Sequence, residues 1–331
     1  MTPHSLTTSR DHLHQSESES DSALRIRLRD GRFLSFTEYG AARGFPLFFL
    51  HDSGSSRIEA GFFAMEARRK GFRLIAVDRP GVGGSDTLPD FSREDCADDL
   101  LQLADALRLA RFGLLGAGSG SAIALVAASR APQRVAIVLG LSSHLPVANE
   151  MTSVMGQTLH AVLGLMLQWA IALRMYVHSA CPDRYVERLS ESLSYADRRL
   201  LDNSGIRAQL VSVAAEAVRA GGAGVARDMV LALSPLALAS PRLKMPVHLW
   251  LGSTETSAAH QAQRDFSNSL PNGNLHKLNN RGRYFYWRHT EEVFAVAQTA
   301  LSVTRQDAIV SSTRPGSSAN TGVIGEVAMA G

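Results

Sequence analysis

Cysteine is almost missing: Cys96 and Cys181 are the two in 331 residues. Two thiols exclude a disulfide framework and point to a reducing compartment, the cytoplasm. No Cys/His spacing matches a zinc site, and neither a metal nor a cofactor is expected. Charge of one sign is also scarce. Basic and acidic residues number 34 and 31, a net of +3, and no dense Lys/Arg run marks a nucleic-acid partner. The first 22 residues are polar and have no apolar segment, which excludes a signal peptide. They are expected to form a disordered tail, with His4, His12 and His14 as part of it rather than a metal tract. Residues 306–331 carry few large apolar groups and are expected to form a second loose tail.

What the chain does have is apolar content, 45% of its residues, enough for one large α/β domain. Leu24 to Arg29 alternates apolar and charged side chains, the pattern of a half-exposed strand. Asp30-Gly31 turns it back into Phe33 to Tyr39. Pro46 to Leu50, Phe72 to Val77, Phe112 to Gly116 and Val135 to Leu141 are short apolar runs, as strands buried on both faces require. Val247 to Leu251 and Asn274 to Leu278 resume the strand pattern. Helical spacing over Ser92 to Leu107 and 119–130 separates the strands, and a final helix starts near Thr290. This alternation predicts a mostly parallel sheet covered on both faces, with ligands at the carboxyl ends of the strands.

Residues 146–240 break the alternation with continuous helical pattern, so the spacing predicts a lid inserted between core segments 23–145 and 241–305. Within it, Met151 to Leu173 contains no Asp, Glu, Lys or Arg. About 20 apolar residues can span a bilayer. Thr152, Ser153, Gln157, His160 and Gln168 interrupt this run, however, and a span here would strand the halves of one sheet on opposite sides. An apolar lid helix over an apolar pocket is the expectation.

Four stretches carry a family resemblance. Phe48-Phe49-Leu50-His51-Asp52-Ser53-Gly54-Ser55-Ser56-Arg57 resembles an H-G-x-P-G-S-R loop. Asp78-Arg79-Pro80-Gly81-Val82-Gly83-Gly84-Ser85-Asp86 resembles D-R-P-G-x-G-x-S. Gly116-Ala117-Gly118-Ser119-Gly120, between a buried strand and a helix, resembles the elbow G-x-S-x-G. Pro246-Val247-His248-Leu249-Trp250-Leu251-Gly252, followed by Gly282-Arg283-Tyr284, is similar to the strand before an acid loop and the G-H-[FY] histidine loop. In this order they cover residues 24–303 and resemble the α/β-hydrolase superfamily. Tyr195-Ala196-Asp197-Arg198 through Ser234-Pro235 is similar to the branch of small bacterial hydrolases with a helical cap.

The resemblance implies a Ser-His-acid triad, and this chain departs from it at the working positions. Gly118 stands at the nucleophile, Arg283 at the histidine, Glu255 at the acid, and Asp52 where the oxyanion loop has glycine. Glycine carries no nucleophile, and arginine stays protonated at any ordinary pH. Losing serine or histidine alone costs roughly 10⁶ in kcat where a triad has been dissected. Glutamate for aspartate is mild. The leading expectation is therefore a pseudohydrolase with a degenerate triad, or an atypical catalyst or binder of a small, acidic molecule. Asp52, Ser53, Ser119, His144 and Arg283 are expected to line its site. Backbone N–H groups at the helix start and the Arg283 guanidinium would favour an anion there, with Glu255 holding Arg283 bidentately.

Three alternatives stand beside it. Ser119 could act as a displaced nucleophile on an ester, amide or C–C bond, in the shifted register Ala117-Gly118-Ser119-Gly120-Ser121. Its inert counterpart is a serine that caps the helix. His144 and Asp52 could move a proton without a covalent intermediate. Glu255 and Arg283, with Asp52, could form an ion-pair network that does no chemistry, in a ligand-sensing or regulatory protein. His51 resembles the loop-fixing histidine of the family. His248, His260, His276 and His289 read as structural or exposed.

Overall fold

The structure, a computed structural model, describes residues 23–145, 166, 170, 182–236 and 243–313. The tail at 1–22 with its histidines, residues 314–331, and the uncharged run 151–173 apart from 166 and 170 lie outside the described residues.

Eight strands form one sheet: β1 Leu24–Arg27, β2 Phe33–Gly40, β3 Phe45–Leu50, β4 Phe72–Val77, β5 Phe112–Ala117, β6 Val135–Leu141, β7 Val247–Gly252 and β8 Gly273–Leu278. Their order is β1-β2-β4-β3-β5-β6-β7-β8. β2 runs antiparallel to β1 and β4, and the pairings from β4 through β8 are parallel. β3 lies between β4 and β5, so the winding reverses across it. In such a sheet the reversal leaves a crevice at the strand carboxyl ends. The loop after β3 and the turn after β5 meet there.

The apolar runs form strands because both faces of the sheet are covered. Along β3, Phe48 and Leu50 enter one core cluster and Leu47 and Phe49 the other. Along β5, Phe112 and Leu114 face the first, Leu115 and Ala117 the second. Helices α1 Ala64–Arg69, α2 Arg93–Ala106 and α3 Gly120–Arg130 link these strands. The Ser92 side chain and Asp95 close a capping box at the start of α2. From Gly120 to Ala128 every residue of α3 is buried, which fits a helix that is small and apolar on all sides.

Helices α4 Pro182–Ser192, α5 Tyr195–Arg198, α6 Ser204–Ala217 and α7 Gly222–Leu233 occupy the interval between β6 and β7. They attach to the sheet through buried ion pairs. Arg57 joins Asp78 (2.5 Å) and Glu216 of α6, and Arg79 joins Asp228 of α7. Arg93 donates to the carbonyls of Leu231 (2.7 Å) and Ser234 (2.6 Å). Helices α8 Ser257–Ser269 and α9 Glu291–Thr313 complete the core. The last helix runs through Thr313, beyond residue 305, where the sequence suggested a loose tail to begin. No helix among the described residues is long and apolar enough to cross a membrane.

Candidate functional site

The chain turns from β5 into α3 at Gly118, with φ +50°, a backbone that side-chain-bearing residues rarely adopt. Gly118 donates its N–H to Leu141 O (2.9 Å) and accepts from His144 N–H (3.0 Å). A Cβ at position 118 would run into the carboxylate of Asp52, and one at Gly120 into the carbonyls of Leu50 and His51. The loop after β3 and the elbow thus interlock atom against atom. The space that a side chain at 118 would take is filled by Asp52.

Asp52 is the hub. Its Oδ1 accepts backbone N–H bonds from Ser53 (2.8 Å) and Ser119 (2.9 Å). Its Oδ2 accepts from Arg283 Nη2 (2.7 Å). Burial raises the energy of the carboxylate, but Arg283 and these N–H groups outweigh it and hold Asp52 below the usual carboxylate range. Arg283 is correspondingly pushed up, chiefly by Asp52. The two backbone donors that the elbow and the β3 loop would turn toward an anionic ligand thus serve the chain's own carboxylate.

The expected bidentate pair between Glu255 and Arg283 is not formed. Glu255 Oε1 accepts from Ser142 Oγ (2.9 Å) and Gly252 N–H (2.9 Å). Ser142 Oγ also lies 2.6 Å from Arg283 O, so it ties the acid loop to the Gly282-Arg283 backbone. Arg283 turns instead to Asp52, the better-buried acid, and its Nε is buried without a hydrogen-bond partner. Burial raises Glu255 above the ordinary carboxyl range.

Ser119 does not cap α3 through its side chain, which corrects the sequence reading. Its backbone N–H serves Asp52, and its hydroxyl lies 3.3 Å from Arg79 Nη1, a cation that cannot accept a proton. Asp52 and His144 share no hydrogen bond among the described residues. Burial, followed by Arg283, lowers the His144 pKa. His51 is buried with Nδ1 2.8 Å from Asp52 O and Arg79 beside it. His248 and His276 pair with each other (3.0 Å) next to Trp250, away from this centre.

Two acidic residues at the centre were given no role by the sequence. Glu59, 2% exposed, accepts at Oε2 from Asp52 N–H (3.2 Å) and Ser55 Oγ (2.9 Å), and at Oε1 from Tyr286 OH (3.3 Å). Burial and the neighbouring Asp52 charge push its carboxyl up to about 7. Asp197, from the Tyr195-Ala196-Asp197-Arg198 stretch, accepts from the N–H groups of Arg283 (3.1 Å) and Tyr284 (2.9 Å) and from Ser194 Oγ (2.8 Å). It fastens α5 to the loop that carries Arg283. Asp197→Ala is expected to lower stability by about 2 kcal/mol, because it leaves those two N–H groups without an acceptor. The shift of the urea unfolding midpoint checks this, and an unchanged midpoint rejects it.

A cleft of about 790 Å³ opens beside this centre, lined by His144, Glu255, Arg283, Tyr284 and Ser192 to Ser194 among others. It brings together four loops that end strands β6, β7 and β8 or leave α4. Among the described residues no group of three or more His, Cys, Asp and Glu side chains is arranged to hold a metal ion.

Comparison with known proteins bears on the fold. The chain is similar to a carboxylesterase of the thaumarchaeon Nitrososphaera gargenis, with 16% identity, a TM-score of 0.65, and coverage of 86% of this chain and 100% of the other. It is also similar to the epoxide hydrolase CorEH, with 19% identity, a TM-score of 0.67, and coverage of 86% and 99%. A sequence relative is the dihydrolipoyllysine-residue acetyltransferase component of the acetoin cleaving system of Pseudomonas putida, 36% identical over 107 residues. That match spans 32% of this chain and 29% of the relative's length. The family model for the alpha/beta hydrolase fold matches residues 49–290. A match over most of the chain, on a sheet wound in this order, means that the chain belongs to the alpha/beta hydrolase fold family.

Proposed function

We propose that this chain is a pseudohydrolase: its triad is degenerate, and its pocket binds a small molecule without an acyl-enzyme intermediate. The observation that carries the reading is the Asp52 carboxylate. It holds both backbone donors expected of an oxyanion site and stands where a nucleophile side chain at 118 would lie. Acyl transfer needs those donors aimed at the developing oxyanion, and here they are spent. The ligand would enter the cleft along His144, Glu255, Arg283 and Tyr284, under a lid formed by the helices after β6. Arg283 is already neutralised by Asp52, so polar recognition there falls to His144, Glu255 and to hydroxyl and backbone groups. Ser53 and Ser119 serve the site through the N–H bonds that hold Asp52.

A serine-directed fluorophosphonate probe tests this. The wild-type protein is expected to take up no label and to hydrolyse p-nitrophenyl acetate at the rate of buffer. Stoichiometric labelling that disappears in Ser119→Ala would overturn the proposal and restore Ser119 as a displaced nucleophile.

A further inference from the structure

We propose a second binding site, for an organic phosphate of nucleotide size, in the cleft between α5 and the loop after β8. It rests on none of the reasoning about Asp52. The cleft has a volume of about 720 Å³ and is lined by Arg199, Arg281, Arg288, His289, Tyr195 and Phe285 among others. Three arginines and a histidine therefore line one space, at a scale typical of small-molecule sites.

The charge there is uncompensated. The one acid in the lining, Asp197, is 2% exposed and already accepts from Arg283 N–H, Tyr284 N–H and Ser194 Oγ. Glu291 and Glu292 line a neighbouring hollow that Arg281 and His289 also border, and Glu292 faces Trp250 and His276. Among the described residues, Arg199, Arg281 and Arg288 form no ion pair. One other hollow gives a contrast. In the hollow between α2 and the loop before β6, Arg29, Arg130 and Arg134 pair with Asp98 and Asp105. Like charges gathered without a counterion repel one another, and an anion relieves that repulsion.

The frame is braced. Arg281 O accepts from Thr254 N–H (3.1 Å) and Thr254 Oγ1 (3.1 Å), and Asn280 donates its N–H to Ser253 Oγ (2.9 Å). The loop bearing Arg281 is thus tied to the loop after β7 before any ligand arrives. Guanidinium forks match phosphate oxygens in pairs, which favours a phosphate or pyrophosphate group over a lone carboxylate. Phe285, 1% exposed, and Leu200, 8% exposed, form an apolar floor, while Tyr195 is 78% exposed at the rim. A planar or apolar group attached to the phosphate would lie against these three side chains.

Calorimetric titration of the full chain with ADP and with inorganic pyrophosphate tests the site. ADP is expected to bind saturably with Kd below about 1 mM, and pyrophosphate roughly tenfold more weakly because it lacks the flat group. Arg281→Gln together with Arg288→Gln should weaken ADP roughly tenfold or more, and Arg134→Gln, in the acid-matched hollow, should leave it unchanged. Arg281 and Arg288 are exposed and Arg134 is half-buried, and an unaltered circular dichroism spectrum of each variant confirms folding. The absence of saturable binding, equal affinity for pyrophosphate and ADP, or an equal loss in Arg134→Gln would each overturn the assignment.

Discussion

Restoring the triad by its two missing side chains alone is expected to yield no hydrolase. Gly118→Ser with Arg283→His should leave p-nitrophenyl acetate hydrolysis at background. A third change, Asp52→Gly, should raise the rate over that double variant by at least roughly 10²-fold. A side chain at 118 must enter space that the Asp52 carboxylate occupies, and φ +50° adds backbone strain to any residue but glycine. The Ser53 and Ser119 N–H groups also remain bonded to Asp52 in the double variant. Removing one oxyanion donor costs about 10²–10³ in kcat where it has been measured, and here both are taken. Replacing Arg283 would moreover leave the buried Asp52 charge without its cation, beside the new hydroxyl. Asp52→Gly clears the place of the serine and frees both donors in one step. Hydrolysis by the double variant, or a triple variant no faster than the double, would show that Asp52 is not the obstruction.

The fold was legible because apolar runs and their spacing decide it. β3 and β5 are buried on both faces, so their sequences are uninterrupted, and α3 is apolar all round for the same reason. The resemblance placed Asp52, Gly118, Glu255 and Arg283 at strand ends, and the structure brings these four residues close together. The wiring among them was not. Asp52 and Arg283 are 231 positions apart, and nothing in either neighbourhood tells which acid the guanidinium will choose. Glu255 was the nearer guess by family position, but Ser142, at φ +45° after β6, reaches it first. Glu59 lies in a stretch with arginine and serines around it, which reads as surface. Its burial follows from Tyr286, 227 positions away, closing over it, a contact formed only when distant parts of the chain come together.

That buried glutamate gives the protein an unusual pH response. Wild-type stability relative to Glu59→Gln is expected to fall as pH rises from 5 to 8. Glu59 keeps its proton in the folded state up to about 7, against an ordinary value of 4.5. Between those values the folded chain binds a proton that the unfolded chain has released, so its contribution is complete below 4.5 and fades as pH climbs through 7. The interval from 4.5 to about 7, at about 1.4 kcal/mol per pH decade, limits the loss to roughly 3 kcal/mol. Asp52 works in the opposite sense: its lowered pKa stabilises the fold above the ordinary aspartate range and is lost only in stronger acid. Glutamine preserves the shape and removes the titration. Its carbonyl oxygen can accept from Asp52 N–H and Ser55 Oγ, and its amide can donate to the Tyr286 hydroxyl, which then acts as acceptor. Urea midpoints of both proteins at pH 5 and pH 8 measure the effect, and because Asp228 and the histidines titrate in both, the difference isolates Glu59. A Glu59→Gln protein less stable than wild type at pH 8, or a difference that does not change with pH, would mean that Glu59 is held charged in the folded state. The Asp52–Arg283 pair would then share its cation with a second carboxylate.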